Sequence, residues 1–235
     1  MTPRTLDGQG LTTLFDPDVP SPNAVVPRLF AHERGGLQFM AQPVALSTLE
    51  NRSLPYRTTV NARGEVPALR LDDGRVLTEV TAICEYFDEI AIGGRSLVGD
   101  TAEERALTRM WTRRVDLEIA EPFVAWWRGG DDAEAYYRGN RVLSPAGRRD
   151  NRMIADRGLN QLDDDLSGQD FICGGRPMLA DILLFGFMLT MQDSVPWVNV
   201  PARRSVSAWF KRMSARPSTE KAMNSFVGDV RLQPA

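Results

Sequence analysis

Cysteine is scarce. Cys84 and Cys173 are the only two in 235 residues, too few for a disulfide framework and consistent with a reducing compartment. His32 is the only histidine, so a metal cluster built on several histidines is excluded. Lysine is confined to Lys211 and Lys221; the other basic residues are arginines, and they form no block. With a net charge of −3, nucleic acid is not an expected partner. No apolar run reaches the ~18 residues of a membrane span. The N-terminus carries Thr2, Pro3, Arg4, Asp7 and Gln9 and has no apolar signal core. The expectation is a cytoplasmic protein with no membrane partner.

What is present suits a folded enzyme or binding protein. At 43% hydrophobic and 25% charged, the chain can bury the core of one large domain or two smaller ones. Its most informative stretch is Asn61-Ala62-Arg63-Gly64-Glu65-Val66-Pro67-Ala68-Leu69, followed by Leu71-Asp72-Asp73-Gly74-Arg75-Val76-Leu77-Thr78-Glu79. Asn61 to Gly64 is turn chemistry. Val66 to Leu69 is a short apolar strand, and Asp73-Gly74 is a strong hairpin signal. Pro67 cannot donate to a ladder and belongs at an edge or bend. The trans preference before proline is only about 0.5–1 kcal/mol, so a cis Val66–Pro67 bond is accessible. It would turn the Val66 N–H and C=O outward, where an extended peptide could pair with them. Thr78 is placed to cap the next helix.

Around this stretch, 1–10 reads as a polar tail and Leu11 to Phe15 as a strand. A helix is expected from about Ala24 to Arg34, with Pro27 in its first turn and Gly35-Gly36 as its stop. Leu37 to Met40 reads as a second strand. Val80, Ile83, Cys84 and Phe87 fall at i, i+3, i+4 and i+7, one buried helix face. Ala91 to Arg95 is a linker, and Asp100 can cap the helix after it. Beyond Thr101 the pattern is helical. Leu107, Met110, Trp111, Val115, Leu117 and Ile119 are the expected inner residues of a long helix, broken or kinked near Pro122. Met153, Ile154, Leu159 and Leu162 play that part in a helix over 148–166. Met178 to Met191, almost wholly apolar, is the expected central helix. The prediction is an α/β domain over 11–92, thioredoxin-like with a mixed sheet, followed by an all-helical domain over 99–227.

The run Asn-x-x-Gly-x-Val-Pro-Ala-Leu, the hairpin, and Thr78-Glu79-x-x-Ala-Ile resemble the cytosolic glutathione transferase superfamily. The resemblance spans about residues 11–225. It includes Phe171-Ile172-x-Gly174 with Leu179-Ala180-Asp181-Ile182, similar to the family's second-domain hallmark. There the aspartate usually completes a capping box with Ser or Thr three residues earlier; here that position is Met178. The resemblance implies glutathione as co-substrate and a homodimer. It also implies a cis Val66–Pro67 bond, the Val66 backbone holding the cysteinyl part, and Glu79 binding the γ-glutamyl end. The family's serine after that glutamate is Val80 here, which leaves the backbone N–H but removes a hydrogen bond. Arg52 and Ser53 lie where the family often places a group for the glycyl carboxylate; Arg52 also reads as a surface charge.

Glutathione chemistry needs a thiolate, and hydroxyl, amide or helix N-terminal donors can stabilise one. Ser21-Pro22-Asn23-Ala24 offers all three. Its place ahead of Gly35 and its similarity to the Thr-Pro-Asn-Gly of bacterial Nu-class members imply that Ser21 and Asn23 face the sulfur. A plain helix-start turn uses the same residues. No cysteine lies here and no tyrosine lies on the first strand, which argues against disulfide-forming and tyrosine-type enzymes. Trp111, Phe123 and Trp126 are candidates for a hydrophobic substrate pocket. Trp111 with Arg113 to Asp116 also resembles a helix of glutathione-dependent β-etherases, so aryl ether cleavage is one substrate expectation and peroxidase activity another. The expected function is transfer of glutathione thiolate to an apolar electrophile; the alternative is a non-catalytic module of the same fold.

Overall fold

The computed structural model describes residues 12–137 and 140–234; Leu11 and the polar tail lie outside them. Strand β1, Thr13–Pro17, and the parallel strand β2, Leu37–Val44, are joined by helix α1, Pro22–Arg34. A 3-10 turn at Glu50–Arg52 and helix α2, Leu54–Thr59, lead to antiparallel strands β3, Ala68–Arg70, and β4, Val76–Leu77. Gly74, at φ 84°, supplies the left-handed turn position of their hairpin. Helix α3, Val80–Ile90, comes next and buries Ile83, Cys84 and Phe87. The element order to this point is β-α-β-α-β-β-α, which suits the expected thioredoxin-like domain with a mixed sheet.

The sheet has a fifth member. Strand β5, Gly228–Leu232, pairs antiparallel with β2 from Leu37↔Leu232 to Ala41↔Gly228, giving the order β4-β3-β1-β2-β5. Its sequence signal is weak: Val230 alone is buried, while Asp229 and Arg231 pair with each other at the surface. By covering the outer edge of β2 it occupies backbone groups that would otherwise invite edge-to-edge pairing.

The helical part opens with α4, Ala102–Val115, which continues through a π turn at Asp116–Ala120 into α5, Glu121–Arg128. The helical path therefore continues past Pro122, whose ring removes one interior backbone donor, and the π turn immediately before it is where the regular i→i+4 ladder gives way. Then come α6, Asp131–Tyr137, α7, Arg148–Asp165, α8, Leu179–Met191, α9, Arg204–Ser214, and α10, Pro217–Ala222. Helix α8 is the buried centre, with nearly every side chain inside.

Several local expectations shift. Pro22, not Pro27, is the first-turn proline of α1; Pro27 is internal, so the Asn23 carbonyl lacks its usual i+4 donor. Thr101, not Asp100, caps α4, accepting from the Glu104 N–H at 3.1 Å. Glu79, not Thr78, is the N-cap position of α3. On α4 the buried face is Thr108, Thr112 and Val115, continued by Ile119, while Leu107, Met110 and Leu117 are exposed. On α7 it is Ala155, Gly158, Leu159 and Leu162, with Met153 and Ile154 outside. Asp181 performs the reciprocal half of the capping box that Met178 cannot complete with a hydroxyl. One carboxylate oxygen accepts from the Met178 N–H at 2.9 Å, and the other from the Ile172 N–H and Trp209 Nε1, both at 2.8 Å.

Candidate active site

Strand register gathers the candidate residues at one end of the sheet. The β1–β3 pairing stops at Phe15↔Ala68 and the β3–β4 pairing at Leu69↔Leu77. The chain leaves β1 at this end toward Ser21, enters β3 through Val66 and Pro67, and leaves β4 toward Glu79. Helices α1 and α3 begin here as well, so two N-terminal dipole ends open on the same region.

Ser21 is the N-cap residue of α1, with φ −98° and ψ 161°, and its side chain makes no cap hydrogen bond. Its carbonyl accepts from the Ala24 and Val25 N–H groups, both at 3.0 Å. The hydroxyl is thus not spent on the helix, as the plain helix-start reading requires. Asn23 sits half-buried in the first turn. The Val66–Pro67 bond is cis. Because β3 begins at Ala68, the half-buried Val66 N–H and C=O lie outside the ladder.

Glu79 has φ 67° and ψ 121°, and with Leu49 it is one of two non-glycine residues at positive φ among the described residues. An L side chain adopts that region at a cost of order 1–3 kcal/mol, and such residues cluster at functional sites. The side chain is exposed and makes no cap bond. Val80, half-buried, opens α3 beside it. Asp116, in the π turn, lies within electrostatic reach: burial, first, and then Glu121 and Glu79 push its carboxyl up, while Arg113 pulls it down.

Ser53 caps α2, accepting from the Tyr56 N–H at 3.3 Å. The Arg52 guanidinium lies 5.7 Å from the Tyr137 ring centroid, and its Nε is buried without a hydrogen-bond partner among the described residues. Asn51 steadies this corner by donating to the Gly64 carbonyl at 2.6 Å. Arg141 pairs with Glu65 across the cleft between the two halves.

The three pocket candidates do not form one wall. Phe123 is wholly buried, edge-on to Phe187 with ring centroids 6.2 Å apart, and belongs to the helical core. Trp126 is half-buried between Arg148, 4.3 Å from its ring, and Trp197, 5.4 Å away. Trp111 is half-buried under Arg114. A cavity of about 340 Å³ between α4 and the loop before α8, lined by Thr108, Cys173 and Arg176, includes none of them. Cys84 is fully buried and burial pushes its thiol up. His32 lies tilted against Phe226 with ring centroids 5.0 Å apart, and burial pushes its pKa down.

Beneath the Ser21 loop lies a pair with no sequence signal beyond an arginine in an apolar helix. Arg28 Nε donates to both Asp16 oxygens, at 3.0 and 2.9 Å, and both side chains are wholly buried. Arg28 also reaches the Pro17 and Ala222 carbonyls, and Asp16 accepts from the Phe226 N–H at 2.9 Å. Burial pushes the Asp16 carboxyl up, against the pull of Arg28.

Known proteins share this arrangement. The family pattern "Glutathione S-transferase, N-terminal domain" matches residues 20–90, and "Glutathione S-transferase, C-terminal domain" matches residues 150–217. Glutathione S-transferase 2 of Saccharomyces cerevisiae is 30% identical over 169 residues, 69% of each chain. Protein LigF of Sphingobium is 28% identical over 232 residues, covering 86% of this chain and 89% of the relative. The structure of Gtt2 from Saccharomyces cerevisiae superposes with a TM-score of 0.74 at 25% identity, covering 89% of this chain and 99% of that one. These likenesses show that the chain belongs to the cytosolic glutathione transferase superfamily, with glutathione as its co-substrate.

Proposed function

We propose that this chain is a glutathione transferase that activates the glutathione thiol with Ser21 and Asn23 and delivers the thiolate to an apolar electrophile. The observation that carries the reading is the uncommitted Ser21 hydroxyl at the α1 N-terminus. It lies at the same sheet end as Val66 and the strained Glu79. In this reading the Val66 backbone pairs with the cysteinyl unit, Glu79 and the Val80 N–H hold the γ-glutamyl end, and Arg52, with Ser53, meets the glycyl carboxylate. Donors aimed at the sulfur favour the thiolate; a free thiol titrates near 8.5, and each unit of lowering corresponds to about 1.4 kcal/mol. The thiol proton leaves to solvent. A carbon–sulfur bond then forms as the leaving group departs with its electron pair. Aryl halides and aryl ethers are the electrophile classes to screen for that step, with Trp111 and Trp126 as wall candidates; a peroxide would instead be attacked at oxygen, giving an alcohol and the sulfenic acid of glutathione, which a second glutathione converts to the disulfide with loss of water.

Thiolate absorbance against pH tests the assignment. Ser21→Ala and Asn23→Ala should each raise the pKa of bound glutathione by about one unit. Titrations identical to wild type would remove both residues from the mechanism.

Val80 favours a second reading, a non-catalytic binding module. With valine in place of the family's serine, one hydrogen bond worth about 0.5–1.5 kcal/mol is gone. Retention on glutathione resin with turnover of 1-chloro-2,4-dinitrobenzene supports the enzyme; no retention supports the module. Calorimetry on Val80→Ser should show tighter glutathione binding by up to about 1 kcal/mol. A cytoplasmic homodimer completes the proposal. Leu107 and Met110 expose an apolar strip on α4 suited to a second copy, and light scattering would read the mass. No helix among the described residues is long and apolar enough to cross a membrane.

A further inference from the structure

Taking both ions of a pair out of water offsets much of their attraction, so the wholly buried Asp16–Arg28 pair is weak evidence of added stability. Its arginine also holds the loop that carries Ser21. Ser21 is the N-cap residue of α1, and Arg28 lies two turns along on the same helical face. From there its side chain folds back onto the chain that precedes its own helix. Nη2 donates to the carbonyl of Pro17, the last residue of β1, and Nε donates to both Asp16 oxygens, at 3.0 and 2.9 Å. Asp18, Val19 and Pro20 alone separate Pro17 from Ser21. This short link is fixed on its other side by the end of β2: the Asp18 N–H donates to the Val44 carbonyl at 2.9 Å, and the Asp18 carboxylate accepts from the Leu46 N–H at 3.0 Å. Within it, the Ser21 N–H donates to the Val19 carbonyl at 2.9 Å. Behind the guanidinium stand Ala222, whose carbonyl accepts from Nη1 at 3.5 Å, and Phe226, whose N–H donates to Asp16 at 2.9 Å. Arg28 thus braces the root of the Ser21 loop against the far end of the chain, while the Ser21 hydroxyl stays free of any cap bond.

We propose that Arg28 is a positioning residue for thiol activation: by holding the Pro17 carbonyl it sets the direction of the Ser21 hydroxyl, and through that hydroxyl the pKa of the bound glutathione thiol. This rests on the transferase reading, and on Ser21 in particular. The donors of a guanidinium point in fixed directions, so Arg28 engages Asp16, Pro17 and Ala222 at once; a lysine ammonium keeps the charge but is a single point that cannot span the three. A small turn of the loop matters because a hydrogen bond weakens steeply once its angle is lost.

Thiolate absorbance against pH, on the full chain with glutathione bound, separates this role from a structural one. Arg28→Lys should raise the thiol pKa by about half a unit, against about one unit for Ser21→Ala. Glutathione affinity by calorimetry should stay within about twofold, because Val66 and Glu79 hold the tripeptide in the proposed reading. Adding Arg28→Lys to Ser21→Ala should leave the titration of Ser21→Ala unchanged, since Arg28 acts through the hydroxyl. Asp181→Asn, an architectural change in the helical half, should lose stability in thermal melting and titrate as wild type does. If Arg28→Lys does not fold, Asp16→Leu combined with Arg28→Met, which strands no charge, carries the same test. A titration of Arg28→Lys identical to wild type, while Ser21→Ala shifts, overturns the proposal and leaves the transferase reading standing. So does an Arg28→Lys shift that persists in full beside Ser21→Ala, or an equal shift in Asp181→Asn. Failure of wild type to bind glutathione, or of Ser21→Ala to move the titration, would instead sink the underlying reading, and the proposal with it.

Discussion

Glu79 holds a backbone conformation that glutamate adopts at a cost, φ 67°, at the start of the helix nearest the expected γ-glutamyl end. If the strain serves ligand binding, relieving it should separate stability from function. Glu79→Gly should raise the melting temperature, by the equivalent of about 1 kcal/mol, and weaken glutathione binding; calorimetry and thermal denaturation measure the two. A variant that is more stable and binds as well would reduce Glu79 to a helix-start acid. Asp181 is the opposite case, a buried carboxyl whose role is architectural. Burial pushes it up to about 6 against three hydrogen bonds, while the unfolded chain titrates near 3.9. Between those values the folded state holds more protons, so this group's contribution to stability grows as pH falls from above 6 toward 4. Asp181→Asn removes that limb and some of the acceptors. The stability gap between wild type and variant should therefore be wider at pH 5 than at pH 8 in urea titrations.

At the level of elements, the first half is legible in the sequence because its signals are local. A turn, a Val-Pro pair, an Asp-Gly hairpin and one clean helical face sit within about thirty residues, and each appears where periodicity and turn chemistry put it. In the helical half the expectation holds in part: Val115, Ile119, Leu159 and Leu162 are buried as expected, while Leu107, Met110 and Leu117 are exposed and Thr108 and Thr112 fill the inward face of α4 beside Val115. On α7 the contact is made by small residues, which hydrophobicity undervalues. A Cβ on Gly158 would stand 2.4 Å from the Glu118 carbonyl and 2.8 Å from Ile119 Cγ1, so the helix approaches the π turn only because that atom is missing. Gly158→Ala should therefore cost about 1–3 kcal/mol through overpacking. Met153→Gln, on the exposed face, should stay within about 0.5 kcal/mol. Chemical denaturation of both variants compares the faces directly. Likewise β5 escapes sequence reading because a short, polar strand with one buried residue has almost no signal of its own; its partner edge supplies the reason for its shape.

Across the whole molecule, α1 is a wall shared by both halves. Gly186 of α8 meets Val26 of α1, where an added Cβ would come within 2.8 Å of its Cγ2. Glu33 near the end of α1 pairs with Arg216 at 2.6 Å. Arg34 binds Asp88 at 2.9 Å, and Asp88 in turn accepts from Ser96 and the Leu97 N–H in the linker. The Asp16–Arg28 pair is the innermost of these ties, because Arg28 reaches Ala222 and Asp16 reaches Phe226, the segment that leads into β5. Such a pair contributes less than its geometry suggests, since desolvating both ions offsets much of their attraction. Breaking it is another matter. Arg28→Met leaves Asp16 charged, buried and uncompensated, and should cost about 3–5 kcal/mol; Asp16→Leu strands the arginine similarly. The double variant removes both charges and should lose clearly less than the two single losses added together, a coupling that a double-mutant cycle isolates. Because the pair underlies the Ser21 loop on one side and anchors Ala222 and Phe226 on the other, both halves should melt together in every variant. Tryptophan fluorescence, with all five tryptophans in the helical half, can be set against hydrogen exchange in β1 and β3. Non-coincident transitions would show that the two halves unfold separately, and additive single losses would show that Asp16 and Arg28 act independently despite their contact.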